Sequence, residues 1–270
     1  MTKLTTLLLA GASLLFLTHS ISAQTITPLV LEGDAVAGVG NVTIINNLAI
    51  NDAGEWIVEV DTDGPTDSDA ALIKNGALYL REFDPLASPP GATISSFDAV
   101  NLNNAGNSGW NFFLDGTAGT GDDSGIYFNA SLLLQESTIS TSPDFSPGTP
   151  YIGFFDAEMN NDGNGKILVI ASVDDPAIAS TVDRAIVILD HDGAGNLVSE
   201  TVFVKEGDIL PGQTEAVADV DTNPWEFAFN DAGSILFCAD LAGATATDGA
   251  LYVDNTLVAQ EGSPSPVPGR

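Results

Sequence analysis

The sequence predicts an all-β fold assembled from tandem four-stranded antiparallel units, and three observations predict it. A glutamate closes a short apolar run five times, at Glu32, Glu82, Glu136, Glu206 and Glu261, with intervals of 50, 54, 70 and 55 residues. A second marker, Asn-x-x-Gly, recurs out of phase with the first and begins at Asn51, Asn103, Asn160 and Asn230. Apolar residues alternate on both sides of each Asn-x-x-Gly, which is the period of a strand with one buried face. Past the N-terminus no segment has helical periodicity.

In chain order, residues 1–23 read as a secretory signal. Lys3 gives the positive end, Leu4 to Phe16 the apolar stretch, and Ser20-Ile21-Ser22-Ala23 the small-residue exit. The apolar stretch is shorter than the roughly 20 residues a membrane span needs. Removal leaves residues 24–270 as one repeat domain with no transmembrane anchor. This part opens on a lone strand, residues 28–40, equivalent to the last strand of a unit.

Four full units follow, approximately residues 41–91, 92–148, 149–212 and 213–269. In each, the positions one and three before the Asn are apolar, as with Ile50 and Leu48 or Phe229 and Phe227. Asn first and Gly fourth suit a type I turn that leads back into a second strand. That strand carries apolar residues seven and nine positions past the Asn: Val58 and Val60, Trp110 and Phe112, Ile167 and Val169, Phe237 and Ala239. A polar loop and an Asp lead to a third strand at Leu72-Ile73, Ile126-Tyr127, Ile186-Val187 and Leu251-Tyr252. Tight turns at Asn75-Gly76, Asn129-Ala130, Gly193 to Asn196 and Asn255-Thr256 precede the fourth strand, which ends on the recurring Glu. Connectors such as Ser146-Pro147-Gly148 and Leu210-Pro211-Gly212 join the units. A single four-stranded sheet cannot bury both faces, so the units must stack, and radial stacking of such sheets is a β-propeller. Four units plus one leading strand either make a small ring or an open arc, and an open arc exposes apolar faces that favour self-association.

The chain carries 7 basic and 37 acidic residues, a formal charge of −30. Nucleic-acid binding needs Lys and Arg to neutralise phosphates and is excluded as a function. Twenty-six of the acids are Asp, which favours turns over strand interiors. Cys238 is the single cysteine, so the fold has no intrachain disulfide and rests on packing.

The order of these motifs resembles the exported bacterial proteins with tandem NxxGxxxF repeats. The nearest matches are Gly125-Ile126-Tyr127 and Glu206-Gly207-Asp208-Ile209-Leu210-Pro211-Gly212, and the likeness covers residues 28–269. It implies a propeller-like fold of unknown molecular function, often with a C-terminal anchoring signal. Residues 264–270 are polar and depart from that pattern, and the low repeat number raises the expectation of a shortened array. The resemblance supplies no catalytic residues.

Nor do the residues themselves assemble an enzyme. His191 is the one histidine past the leader. It sits in Asp190-His191-Asp192-Gly193 and reads as a solvated turn residue. No Gly-x-Ser-x-Gly elbow, zinc-ligand set or phosphate loop accompanies it. Asn160-x-Asp162-x-Asn164-Gly165 matches the start of an EF-hand loop, but Ala171 stands where the bidentate Glu belongs. The better oxygen cluster for calcium is Asp61, Asp63, Asp67 and Asp69, in a loop of variable length. The recurring Glu and the Asp before each third strand read as acceptors for backbone N–H groups. Trp56, Trp110 and Trp225 read as core.

The expected function is therefore an exported, non-enzymatic binding module, secreted or held at the cell surface or in the periplasm. Its partner would be a surface glycan or a protein, met through loops 61–69 and 116–124. The alternative is a glycan-processing hydrolase that uses a carboxylate pair in a central channel.

Overall fold

The structure, a computed structural model, describes residues 26–178, 183–222 and 227–264. The expected leader, Trp225 and residues 265–270 lie outside them. The described residues form four antiparallel sheets and no helix. The first holds β1 (Ala35–Val36), β2 (Gly40–Ile50), β3 (Trp56–Thr62), β4 (Ala70–Lys74) and β5 (Ala77–Arg81). The second holds β6 (Thr93–Leu102), β7 (Ser108–Asp115), β8 (Ser124–Phe128) and β9 (Ser131–Gln135). The third holds β10 (Tyr151–Met159), β11 (Ile167–Val173), β12 (Asp183–His191) and β13 (Leu197–Lys205). In the fourth, β14 (Val217–Val220) and β15 (Phe227–Phe229) both pair with β16 (Ile235–Leu241), followed by β17 (Gly249–Val253) and β18 (Thr256–Gln260). Strands neighbour one another in sequence order in the first three sheets, and in the fourth β14 and β15 share β16 as their neighbour. The protein is a propeller-like array of four-stranded antiparallel repeats.

The leading strand is shorter than expected. Only Ala35 and Val36 pair, with Asn41 and Gly40. Gly33 and Gly38 take φ values of 89° and 81°, which break the extended path on either side. Val30, Val36 and Val39 still lie against Val58, Val60 and Ile73 of the first sheet.

The Asn-x-x-Gly turns form for the reason their sequence gives. The N–H groups of Gly54, Gly106 and Gly233 bond back to the carbonyls of Asn51, Asn103 and Asn230 at 3.0 Å, and each glycine has positive φ. The third turn is two residues longer. Asn160 N–H pairs with the carbonyl of Lys166, whereas Asn51 N–H pairs with that of Glu55. Consequently Val169, not Ile167, is the register equivalent of Val58, Trp110 and Phe237. Because the insertion is even, every side chain of β11 keeps its face.

Alternate residues of each sheet then pack on two different neighbours. The back of the first sheet, with Ile57, Leu72 and Leu80, meets the front of the second, with Phe97, Trp110, Phe112 and Tyr127. The back of the second (Ile126, Phe128, Leu134) meets Tyr151, Phe154, Val169 and Val187 of the third. The back of the third (Leu168, Ile170, Ile186, Val204) meets Phe227, Phe237 and Tyr252 of the fourth. The first three sheets approach one another chiefly through their first strands, β2 to β6 to β10, and the fourth meets the third through β14 against β12 as well as β15 against β10, so the first strands mark the inner edge of the stack.

The turn asparagines tie the sheets together as well as closing hairpins. Each Oδ1 accepts from its own turn; in the second unit Ala105 and Asn107 N–H reach Asn103 Oδ1 at 3.0 and 2.9 Å. The Nδ2 of Asn51 donates to the Asn103 carbonyl at 3.0 Å, and that of Asn160 to the Asn230 carbonyl at 3.2 Å. Asn103 reaches Asn164, inside the third turn, at 3.4 Å. A second rung runs alongside: Asp52 N–H to Asn104 Oδ1, Asn104 N–H to Asn161 Oδ1, and Asn161 N–H to Asp231 Oδ1.

Three of the five recurring glutamates act as the backbone acceptors expected of them, while Glu32 is exposed. Glu82, Glu136 and Glu206 accept from the N–H groups of Ala70, Ser124 and Arg184 through their carboxylates. Their own N–H groups bond the carbonyls of those same three residues, and Glu261 N–H bonds that of Gly249. Each therefore locks the start of the third strand to the end of the fourth.

Candidate functional site

The inner strands β2, β6 and β10 each carry an irregularity at the same level, between Ile45 and Leu48, Phe97 and Val100, and Phe154 and Asp156. A bulge inserts unpaired residues and re-aims their side chains. Counting by two back from Leu48 and Val100 would put Asn46 and Asp98 on the packed face; the irregularity puts Ile45 and Phe97 on it instead and leaves the polar residues along the inner edge. The result is a groove of about 240 Å³ lined by Asn47, Asp98, Asn101, Phe155, Asp156 and Glu158, with Leu48, Ala99, Val100 and Ala157 between them.

Two asparagines in the groove are held by the neighbouring sheet. Asn47 Nδ2 donates to Glu59 Oε2 at 2.7 Å and to the Asp98 carbonyl at 3.2 Å. Asn101 Nδ2 donates to the Ala157 carbonyl at 2.6 Å. Below them, Asn111 Nδ2 donates to Asp98 Oδ2 at 2.8 Å. Asn111 Oδ1 and Asp156 Oδ2 are buried without a hydrogen-bond partner. Phe155 is 36% exposed, and its ring carries the Arg184 guanidinium 4.9 Å from its centroid.

Burial dominates the electrostatics. It raises the Glu158 carboxyl to about 7, with the charge of Asp156 adding to it. It raises Asp156 to about 6, opposed by the Ala157 N–H and helped by the Asp98 charge. Asp98 and Glu59 are raised by the same cause, and asparagine hydrogen bonds pull each back. A groove with these values presents carboxyl groups that exchange between donor and acceptor roles near neutral pH.

This has a consequence for stability. An acid whose folded pKa lies above its unfolded one is stabilising below the unfolded value, and that contribution is lost as pH rises through the folded one. Between pH 5 and 8 the folded chain sheds protons at Glu158 and Asp156 that the unfolded chain has already lost. Glu136, raised to about 7 by burial and by its hydrogen bond and charge interaction with Asp123, acts the same way. The melting temperature should fall from pH 5 to pH 8, and Glu158→Gln should remove on the order of 2 kcal/mol of that dependence. Thermal unfolding followed across this range checks it. An unchanged slope in the variant contradicts the assignment.

The residues expected to hold calcium are engaged separately. Asp63 accepts from Asn41 N–H at 2.6 Å and Asn41 Nδ2 at 2.9 Å, which holds its carboxyl below the usual range. Asp61 accepts from Asn46 Nδ2 at 3.1 Å, and Asp67 from Ser68 Oγ at 3.3 Å. Asp69 uses its backbone carbonyl, toward Thr62 N–H at 3.0 Å. Among the described residues no three acidic, His or Cys side chains gather in a metal-holding group. The loop at 116–124 is cross-braced by Asp122, which accepts from Ala118 and Gly119 N–H.

His191 differs from its expectation as a solvated residue. It is buried at 3% exposure with its ring 4.0 Å from that of Phe128. Its Nδ1 accepts from Gly193 N–H at 3.2 Å, which leaves Nε2 to donate to the Gly165 carbonyl at 2.5 Å. The imidazole thus staples the third turn to the tight turn after β12. Trp110 is fully buried, as expected of a core residue, while Trp56 is half-buried at the uncovered front of the first sheet.

The groove residues escaped the sequence reading. Their signal is a polar break four or five positions before the turn asparagine, at Asn46-Asn47, Asp98 and Asp156. It interrupts the period-two pattern at the place where a bulge makes that pattern uninformative.

Repeated antiparallel quartets with a polar groove on their inner strands define a propeller-like repeat protein. The chain belongs to DUF7453, a family of unknown function, whose model matches residues 16–267. No curated protein matches it. Among solved structures it is similar to a protein of unknown function from Bacteroides caccae, whose crystal structure is at 1.35 Å resolution. That likeness has 13% identity and a TM-score of 0.24, covering 80% of this chain and 81% of the other.

Proposed function

We propose that the protein is an exported, non-enzymatic binding module whose inner-strand groove takes a neutral, hydroxyl-rich ligand, a surface glycan being the class that fits best. One observation carries the reading: pinned amides, carboxyls that are protonatable near neutral pH and an exposed phenyl ring share one wall. Sugars offer hydroxyls that both donate and accept, which suits groups of that kind, and C–H faces that pack on aromatic rings. The partnerless Oδ2 of Asp156, a residue of the groove wall, gives such hydroxyls a further reason to bind.

Binding to an array of neutral oligosaccharides, followed by titration calorimetry, tests this. Phe155→Ala should weaken binding at least tenfold, about 1.4 kcal/mol, while leaving the melting temperature close to that of the parent. A folded chain that binds no glycan overturns the reading. Release of reducing sugar from chromogenic glycosides, abolished by Asp156→Asn or Glu158→Gln, would instead install the hydrolase alternative. Calcium titration probes the loop separately. Heat together with a rise in melting temperature, lost in Asp63→Asn, would add a metal to the module; silence removes the calcium-dependent version.

A further inference from the structure

Three seams join the back of one sheet to the front of the next, and two faces of the same kind are left over. At positions equivalent in register, Phe97, Phe154, Ala157, Met159, Phe227 and Phe229 are between 1 and 9% exposed, and Val100 and Leu102 are half-buried. Their counterparts on the front of the first sheet, Ile45, Leu48 and Ile50, are 40, 66 and 60% exposed. They border a hollow of about 260 Å³ with Leu29, Val30, Trp56 and Val58. On the back of the fourth sheet, Leu236, Leu251 and Val253 are half-buried, and Leu251 and Ala259 help to line a hollow of about 360 Å³ whose wall also carries Asp221, Gln260 and Glu261. No hydrophobic cluster among the described residues joins these two faces.

The turn ladder ends at the same two places. Its direction is fixed, since the Nδ2 of Asn51, Asn103 and Asn160 each donates to a carbonyl in the turn of the following sheet. The ladder runs from Asn51 to Asn230. Its next step from Asn230 calls for a carbonyl placed like that of Asn51. The next step of the second rung, from Asp231 N–H, calls for a side-chain acceptor placed like Asp52.

We propose that the protein self-assembles head to tail, the back of the fourth sheet of one copy packing on the front of the first sheet of the next. The occupant is a second copy because this chain already contains both halves of the seam and makes that seam three times internally. Such a contact is heterologous, so it extends to a closed ring or a chain rather than stopping at a two-fold dimer. Inside the molecule the second rung pairs Asp52 with Asn104, Asn104 with Asn161, and Asn161 with Asp231. Only the intermolecular step brings two carboxylates together, Asp231 with Asp52. Salt screens that repulsion and should favour assembly.

The mass of the full chain in solution, measured by light scattering and sedimentation at high micromolar concentration and molar salt, should be at least twice that of one chain. Asp52→Asn should tighten association about tenfold and lessen its salt dependence. Leu48→Asp and Leu251→Asp should each reduce the protein to smaller species. Mixed in equal amounts they should form a dimer, because each variant retains the face the other has lost. Circular dichroism confirms that both variants are folded, and the Asp52→Asn gain does not depend on either of them. A parent that stays monomeric, through closure by its own chain or cover by another partner, overturns the proposal. So does a mixture of folded variants that fails to pair, or assembly sensitive to Leu48 and indifferent to Leu251, which marks a front-to-front dimer.

Discussion

Trp110→Ala should destabilise the protein by about 4 kcal/mol. The indole is fully buried in the seam between the first and second sheets. It stacks on Phe112 at 5.7 Å, tilts against Tyr79 at 5.8 Å, and its Nε1 donates to the Asn129 carbonyl at 2.8 Å. Truncation opens a cavity between two sheets and orphans a carbonyl in the tight turn after β8, a further loss of about 1 kcal/mol at most in context. Trp110→Phe keeps the ring and loses the donor, so it should fall well short of the alanine variant. Urea unfolding followed by far-ultraviolet circular dichroism measures both. A loss below about 1 kcal/mol for Trp110→Ala would mean that this seam does not hold the stack together.

Asn160→Ala should lose about 3 kcal/mol, although it removes no apolar surface. Asn160 is 1% exposed; its Oδ1 accepts from Asp162 and Lys166 N–H at 3.1 and 3.0 Å, and its Nδ2 crosses to the Asn230 carbonyl. Asn160→Asp separates the two jobs. It keeps the acceptor that shapes the turn, deletes the donor that joins the sheets, and turns a negative oxygen toward a carbonyl. At pH 7 it should be nearly as damaging as alanine. At pH 4 a protonated carboxyl can donate again, and part of the loss should return. An aspartate variant with the parent's stability at pH 7 would reduce these asparagines to turn formers.

How much of this was legible in the sequence varies by level. Repeat number, strand order and buried faces were readable, because alternation around Asn51, Asn103 and Asn230 has one phase and the turn glycines sit where positive φ is needed. The clamp was half visible. Turn chemistry demands an acceptor at Asn160, and nothing local to the motif reveals that the amide nitrogen spans to another sheet. The groove was hidden for a different reason. Asp98 and Asp156 lie at bulges, where counting by two no longer says which way a side chain faces. His191 misled because a histidine between two aspartates looks solvated, and only the longer third turn brings the Gly165 carbonyl over it. The leading segment misled because Leu29-Val30-Leu31-Glu32 repeats the fourth-strand pattern without a third strand beside it to pair with.

The extra pair of residues in the third turn also constrains how members of this family can diverge. Genes lose and gain codons one at a time as readily as two, yet a lone added codon at Asn164 would turn β11 inside out. Leu168 and Ile170 would then trade places with Val169 and Ala171, and both adjoining seams would have to be rebuilt at once. Length variation at these hairpins should therefore survive only in even steps, whereas the connectors between sheets are free of that parity.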